Sequence, residues 1–343
     1  MSTQLDFSIG IGKESEYGTA VTPTDFPEAE AKMKYDVKTV TSNGNRLGKH
    51  VARTNRNTIT RYEGSGDVEF DATTKGLGLW LEAVLGSVTN TEIPATSPSV
   101  YQQNHVLSTS DPVPTYTIQE VLPTLGGVNS YPHTFLGCAI ESLELSAKEG
   151  GYVGVKFGVT AREMRTDVSA TAAAYASGDD LFTFVGGSIG YGGTLTAPTT
   201  TEKASLSGDP AANVAEVSVS IKRSFDTGGF NLGGAGLRSR APRLGRPQLM
   251  GKIVAEYENN TLRDAYLSQT PLPLVLTFEG PKDLSTGVPA LLQVVFPAVK
   301  LKGEIPTSDG GNPIKQSIDF EAMDNGVAAQ PVWVVYRTLD TTP

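Results

Sequence analysis

Gly66-Asp67-Val68-Glu69-Phe70-Asp71 sets three acids on one parity and two apolar side chains on the other. Successive side chains of a strand point to opposite faces, so this stretch reads as a strand with one dry and one wet side. The same period-two signal recurs along the chain. Val153, Val155, Phe157 and Val159 alternate with Gly154, Lys156 and Gly158, and Val217, Val219 and Ile221 alternate with Ser218, Ser220 and Lys222. Leu143 and Leu145 flank Glu144 in the same way. Residues 272–278 and 291–295 are denser apolar runs, as expected of strands covered on both faces. Helical spacing occurs in only two places. Residues 73–85 bring Leu77, Trp80, Leu81 and Val84 to one side, with Thr73 or Thr74 as N-cap and Gly86 closing the C-terminus. Residues 260–269 do so with Leu262 and Tyr266, behind Asn260 as N-cap. The expected fold is mostly β.

Reading outward from the two helices gives the same order of parts twice. An alternating strand (35–40, then 217–221) leads into a Gly- and Arg-rich stretch (42–57, then 226–246). A return strand follows (66–71, then 251–257), then the helix, then two further strands. The pattern predicts two tandem β domains over 35–170 and 213–326, the first carrying a Pro/Ser/Thr-rich insertion at 87–133. A single large sandwich with coincidental similarity is the alternative. Residues 1–34, with Pro23 and Pro27, read as an extended arm. Residues 171–212 read as a connector with one buried strand at 181–185, and 327–343 as a C-terminal segment.

Composition narrows the function. The chain has 343 residues, 28 Lys+Arg against 37 Asp+Glu, and a net charge of −9. An acidic chain is poorly suited to gripping nucleic acid, since that grip comes from Lys and Arg displacing counterions. A single cysteine, Cys138, excludes an intramolecular disulfide. The opening residues show no basic segment leading into an apolar one, and no run nears the ~18 apolar residues of a spanning helix. The expectation is a soluble protein of a reducing compartment, with no membrane anchor.

Chemical signatures are few and weak. Gly186-Gly187-Ser188-Ile189-Gly190 matches the G-x-S-x-G pattern, but the following Gly190-Tyr191-Gly192-Gly193 will not start the helix a nucleophile elbow needs. Gly10-Ile11-Gly12-Lys13 suggests a phosphate loop, yet Phe7 stands where its first glycine belongs. His50, His105 and His133 are scattered without ligand partners at metal spacing and read as surface residues. Cys138, among Leu136, Ala139 and Ile140, reads as a buried structural thiol. No enzyme, cofactor or metal is expected.

Charge placement is more telling. Arg46, Lys49, His50, Arg53 and Arg56 cluster in the first Gly-rich stretch, and Arg238, Arg240, Arg243 and Arg246 in the second. Asp67, Glu69 and Asp71 share a parity on one return strand, as do Glu256 and Glu258 on the other. Solvated faces explain any one of these. Their recurrence suits a protein whose basic loops pack against acidic surfaces of neighbouring copies.

Gly12-Lys13-Glu14-Ser15-Glu16-Tyr17-Gly18-Thr19, followed by Thr22-Pro23-Thr24-Asp25-Phe26, resembles the start of major tail tube proteins of long, non-contractile bacteriophage tails. The order of 66–71, the helix with Leu79-Trp80-Leu81 and Leu85-Gly86, and Tyr131-Pro132-His133-Thr134-Phe135 is similar to the same family. The resemblance implies a β-sandwich or barrel domain with a short flanking helix and a long hairpin loop, here in two tandem copies. It implies rings of six such domains stacked into a tube that carries double-stranded DNA. Three chains would complete a pseudo-sixfold ring, while six would leave one domain per chain as decoration. It further implies tape measure, tail terminator and distal tail proteins as partners, and a virion tail assembled in the host bacterial cytoplasm. On this reading Asp67, Glu69, Asp71, Glu256 and Glu258 line an acidic lumen, with Val68, Phe70, Ile253 and Ala255 facing the core. The lumen would repel phosphate within ~8–10 Å at physiological salt. Arg46, Lys49, Arg53, Arg56, Arg238, Arg240, Arg243 and Arg246 would make contacts between rings, and 1–34 would lie on an adjacent subunit. The alternative function is a carbohydrate-binding or adhesion sandwich (a decoration or fibre protein), with Trp333 and Tyr336 as its modest aromatic candidates.

Overall fold

A computed structural model describes residues 6–124, 130–207, 214–257, 260–303 and 314–343, together with 305 and 310. In the first half the strands are β1 (Ser8–Lys13), β2 (Ala29–Thr41), β3 (Asn57–Asp71), β4 (Gly86–Glu92), β5 (Tyr101–Leu107), β6 (Tyr116–Pro123), β7 (Ser130–Lys148), β8 (Val153–Ala161) and β9 (Glu163–Arg165), with α1 (Gly78–Leu85) after β3. The second half holds β10 (Gly187–Tyr191), β11 (Leu195–Thr196), β12 (Ser205–Leu206), β13 (Val214–Lys222), β14 (Gln248–Glu256), β15 (Leu272–Ser285), β16 (Val288–Gly303), β17 (Lys315–Ala322) and β18 (Trp333–Thr338), with α2 (Thr261–Ser268) after β14. The protein is mostly β, as the period-two signal predicts, and its strand pairs among the described residues are antiparallel.

Eight strands form one continuous array in the order β2-β3-β8-β7-β13-β14-β17-β16. Its first four and last four members have the same internal order. The long strands β7 and β16 each leave this array partway along and enter a second layer. There β7 joins β1, β6 and β9, and β16 joins β10, β15 and β18. Alternation fixes what lies between the layers. Val68, Phe70, Phe157, Leu145, Val219, Ile253 and Phe320 point inward and belong to one contiguous core with Ile11, Ile118, Leu276 and Phe296. Trp80 of α1 packs on Phe157 and Phe70, with ring centroids 5.2 and 5.7 Å away.

All eight residues of α1 are buried, so this helix is a plug rather than a surface element. It starts at Gly78, later than the spacing predicts. Gly76 holds φ +75, outside the helical region, while Thr73 Oγ1 donates to Lys75 O and closes a turn. Gly86 ends it in the left-handed conformation, as expected. The apolar runs in β15 and β16 are covered on their second face by Leu195 and Leu206 of the β11–β12 hairpin.

Three flanking expectations need correction. Residues 8–13 do not run out as an arm: they pair with β6, with Ile9 and Ile11 buried, and 29–34 already belong to β2. The prolines that suggested an arm occupy the turn returning beneath β1, where Phe26 packs against Gly10. In the connector, 181–185 is not a strand. Phe182 is buried but Val185 is 89 % exposed, and the strand is β10. The stretch 87–133 is not one insertion. β6 lies beside β1 and β7 in the first half, whereas the β4–β5 hairpin crosses over and pairs with β18 of the second.

Candidate functional site: the sheet face, its edges and two hairpins

Side chains on the wet face of the eight-stranded array form lateral rows. One row runs Glu30, Glu69, Lys156, Glu144, Ser220, Met250, Glu321, Lys300, each directly opposite the next. A second runs Asp71, Gly154, Ser146, Ser218, Lys252, Asp319, Lys302. Asp67, Glu69, Asp71 and Glu256 are exposed on this face, with Val68, Phe70, Ile253 and Ala255 buried behind them. Glu258 lies outside the described residues. The face is not the acidic surface that the parity of two strands suggested. Neighbouring strands interleave lysines: Lys156 Nζ lies 3.5 Å from Asp67, Lys148 Nζ lies 3.3 Å from Glu216, and Lys302 pairs with Glu321. Small residues, Gly154, Gly158, Ser146 and Ser218, occupy the middle strands and leave a shallow furrow.

The two halves meet at a seam that sequence reading missed. β7 and β13 pair over seven positions, from Lys148 opposite Glu216 to Ser142 opposite Lys222. At its end Arg223, 3 % exposed, donates to the carbonyls of Val84, Leu85 and Ser108, so it caps the C-terminus of α1 from the other half. Burial pushes its guanidinium down to about 10, which leaves it charged at neutral pH. Nothing in the local sequence marks it out from the other arginines.

The outer edges of the array are open among the described residues. β2 carries β3 on one side and no strand on the other. At the far end, Lys300–Gly303 of β16 pairs with β17, while its opposite edge has left β15 behind at Val299 and carries no strand among the described residues, only the Gln269 Nε2 that donates to Leu301 O. Unpaired strand edges are ready-made templates for another chain.

The two basic stretches differ in kind. The first is the exposed tip of the β2–β3 hairpin. Arg46, Lys49, Arg53 and Arg56 make no side-chain hydrogen bond or ion pair among the described residues, and Leu47 and Val51 stand out beside them, 102 % and 82 % exposed. The second folds back on its own chain, so its arginines are not all free for another copy. Arg238 is 5 % exposed, donates to Ala161 O and Thr227 O, and lies over the Phe230 ring. Arg240 pairs with Asp226 and Arg243 with Asp111, each at 2.7 Å; Arg246 is exposed. Gly236 O accepts the Tyr62 N–H, so this hairpin caps the edge of β3 beyond the end of β8.

The remaining motifs fall into structure. Ser188 sits in β10 opposite Thr277, and Gly10 to Lys13 lie in β1. His50 is exposed, and His133 Nδ1 is 3.8 Å from Glu120. His105 is buried, not at the surface, because it faces inward from β5; burial drives its imidazole down to about 3. Cys138 is buried and its Sγ–H donates to Phe135 O. Trp333 and Tyr336 are 7 % and 0 % exposed and offer no aromatic platform. Glu14, inside the opening motif, is a buried acceptor for Gly18 N, Gly137 N, Thr115 Oγ1 and Thr117 Oγ1.

A search of curated proteins finds no match to the chain. The family model described as phage tail tube protein matches residues 6–322, nearly the whole of it. A strongly β chain with open sheet edges and a long exposed hairpin, matched along almost its full length, belongs to the phage tail tube protein family and is a structural component of the virion tail.

Proposed function

We propose that copies of this chain close into a ring by joining the open edge of β2 to that of β16, and that rings stack into a tube through which double-stranded DNA passes. The observation that carries this reading is the eight-stranded array: two four-stranded sets of one internal order, fused at the β7–β13 seam. Each chain then supplies two of the six positions in a ring, and three chains complete it. Rotational closure removes both open edges of the array.

The wet face becomes the lumen wall, with Asp67, Glu69, Asp71 and Glu256 among its groups and Glu258 assigned there by the same parity. Carboxylates alternating with lysines offer a passing duplex no continuous cationic track. The cations along the rows are lysines, which lack the bidentate fork by which arginine grips phosphate. The β2–β3 hairpin, with Arg46, Lys49, Arg53 and Arg56 around Leu47 and Val51, reaches the adjacent ring; Arg240, Arg243 and Arg246 supplement it, while Arg238 acts within its own chain. Tape measure, tail terminator and distal tail proteins complete the tail, assembled in the host cytoplasm.

Electron microscopy of the concentrated protein tests this. Hollow rods or rings, with a solution mass that is a multiple of three chains, are the expected result. Discrete monomeric particles at all concentrations would refute it.

A further inference from the structure

The seam inside the chain specifies, residue by residue, the seam between chains. The inference rests on the ring reading above. Gly66 lies between Met33 and Val159, and Gly251 lies between Val219 and Phe320. Matching the two glycines equates β2 with β13 (Met33 with Val219) and β8 with β17 (Val159 with Phe320). Through those partners, Ser142, opposite Gly158, corresponds to Lys302, opposite Asp319; Leu143, opposite Phe157, corresponds to Gly303, opposite Ile318. On the other side, Ile221 and Lys222 correspond to Tyr35 and Asp36.

Within the chain Leu143 pairs with Ile221 and Ser142 with Lys222. The geometry points to the equivalent register between copies: Gly303 of one copy opposite Tyr35 of the next, and Lys302 opposite Asp36. Two independent features agree with it. The array ends at both positions, since among the described residues β2 has no second strand beside it and Lys300–Gly303 has no strand beyond β17, its outer side meeting only the Gln269 Nε2 that donates to Leu301 O. The substitution of Ser142 and Lys222 by Lys302 and Asp36 also turns a neutral–cation pair into an opposite-charge pair. Both side chains are well exposed, 60 % and 62 %, on the wet face. Directly opposed residues bring their Cβ atoms to about 5 Å, close enough for an interstrand ion pair. Glycine at 303 leaves room for the Tyr35–Tyr62 stack, whose rings lie 5.7 Å apart. The occupant of each open edge is therefore a second copy of this chain in one fixed register, and a slip of one residue would turn every neighbouring side chain to the wrong face.

Cysteine cross-linking of the full-length protein tests the register. Cys138 is buried and gives no background. Oxidation of Asp36→Cys/Lys302→Cys after assembly is expected to yield covalent dimers and trimers and nothing larger. Lys32→Cys/Lys302→Cys, displaced by four residues, should stay uncross-linked, and Ser142→Cys/Lys222→Cys should close within one chain. The charge-swapped pair Asp36→Lys/Lys302→Asp should assemble where Asp36→Lys alone assembles poorly. Rings of normal size that fail to cross-link through 36 and 302, or that cross-link through 32 and 302, overturn the register and leave the tube reading standing. A ladder past the trimer supports the seam and overturns the three-chain ring. Protein that folds but never forms rings overturns both.

Discussion

Lys148 Nζ lies 3.3 Å from Glu216 Oε1, across the line where the first half of the chain meets the second. Both groups are substantially exposed, 69 % and 39 % by side chain. The ion pair marks the seam without holding it, since exposed pairs contribute ~0–1 kcal/mol. The apolar side chains beneath it hold the seam: Leu143, Leu145, Val217, Val219 and Ile221 are all buried.

Glu216→Ala should accordingly shift stability by less than ~1 kcal/mol in urea unfolding. Leu145→Ala, opposite Val219, should cost ~2–4 kcal/mol by leaving a cavity in the core shared by both halves. Equal effects from the two substitutions would mean that charge, not packing, joins the halves.

Arg223 donates to three carbonyls in surroundings that exclude water. Arg223→Met should lower stability by ~2–4 kcal/mol, because the carbonyls at the end of α1 lose a charged donor while buried. Arg223→Lys should recover little, since an ammonium cannot span the positions the planar guanidinium reaches. Thermal unfolding of the two variants, with circular dichroism at the helix band, separates them.

Acidity should stabilise the fold over a defined window. Burial raises the Asp25 carboxyl to about 7, with the Asp340 carboxylate adding to the effect, and burial raises Glu120 to about 7. Unfolded, both titrate near pH 4. Between pH 4 and 7 the folded chain therefore holds protons that the unfolded chain has released. Their contribution is full below pH 4 and is lost as pH rises through 7. Unfolding free energy should fall between pH 5 and 8 by up to about 5 kcal/mol from the two groups together, most of it below pH 7. Asp25→Asn should flatten that slope; an unchanged slope in both Asp25→Asn and Glu120→Gln would show that neither group is responsible.

The exposed hairpin should matter to assembly and not to folding. Replacing Arg46, Lys49, Arg53 and Arg56 together by serine removes no intrachain partner, so melting should move by less than ~0.5 kcal/mol equivalent. Rod length in micrographs should shorten sharply while single rings persist. Normal rods would exclude this hairpin from stacking.

Much of the layer structure was legible in the chain. Alternation at 66–71, 153–159 and 217–221 gave the dry and wet faces, because one buried side per strand writes period two into the residues. Gly86 marked the end of α1 since only its left-handed backbone closes the helix there. What was hidden is long-range. Arg238 and Arg246 look alike in a basic loop, yet one is buried over Phe230 and the other exposed, a difference set by Ala161 and Thr227 arriving from elsewhere. Asp67, Glu69 and Asp71 share the exposed side of β3, but the net character of the face depends on which lysines the adjoining strands bring beside them.

The β4–β5 hairpin leaves the first half and docks on β18, which itself lies between β5 and β16. During synthesis that hairpin can rest on α1 but lacks its strand neighbour until Trp333–Thr338 emerges, far downstream. The early portion of the polypeptide is thus kept unfinished by its own tail end. A protease cut in the exposed stretch near Thr200 would nick the molecule without liberating two separate lobes, because the lobes are braided together.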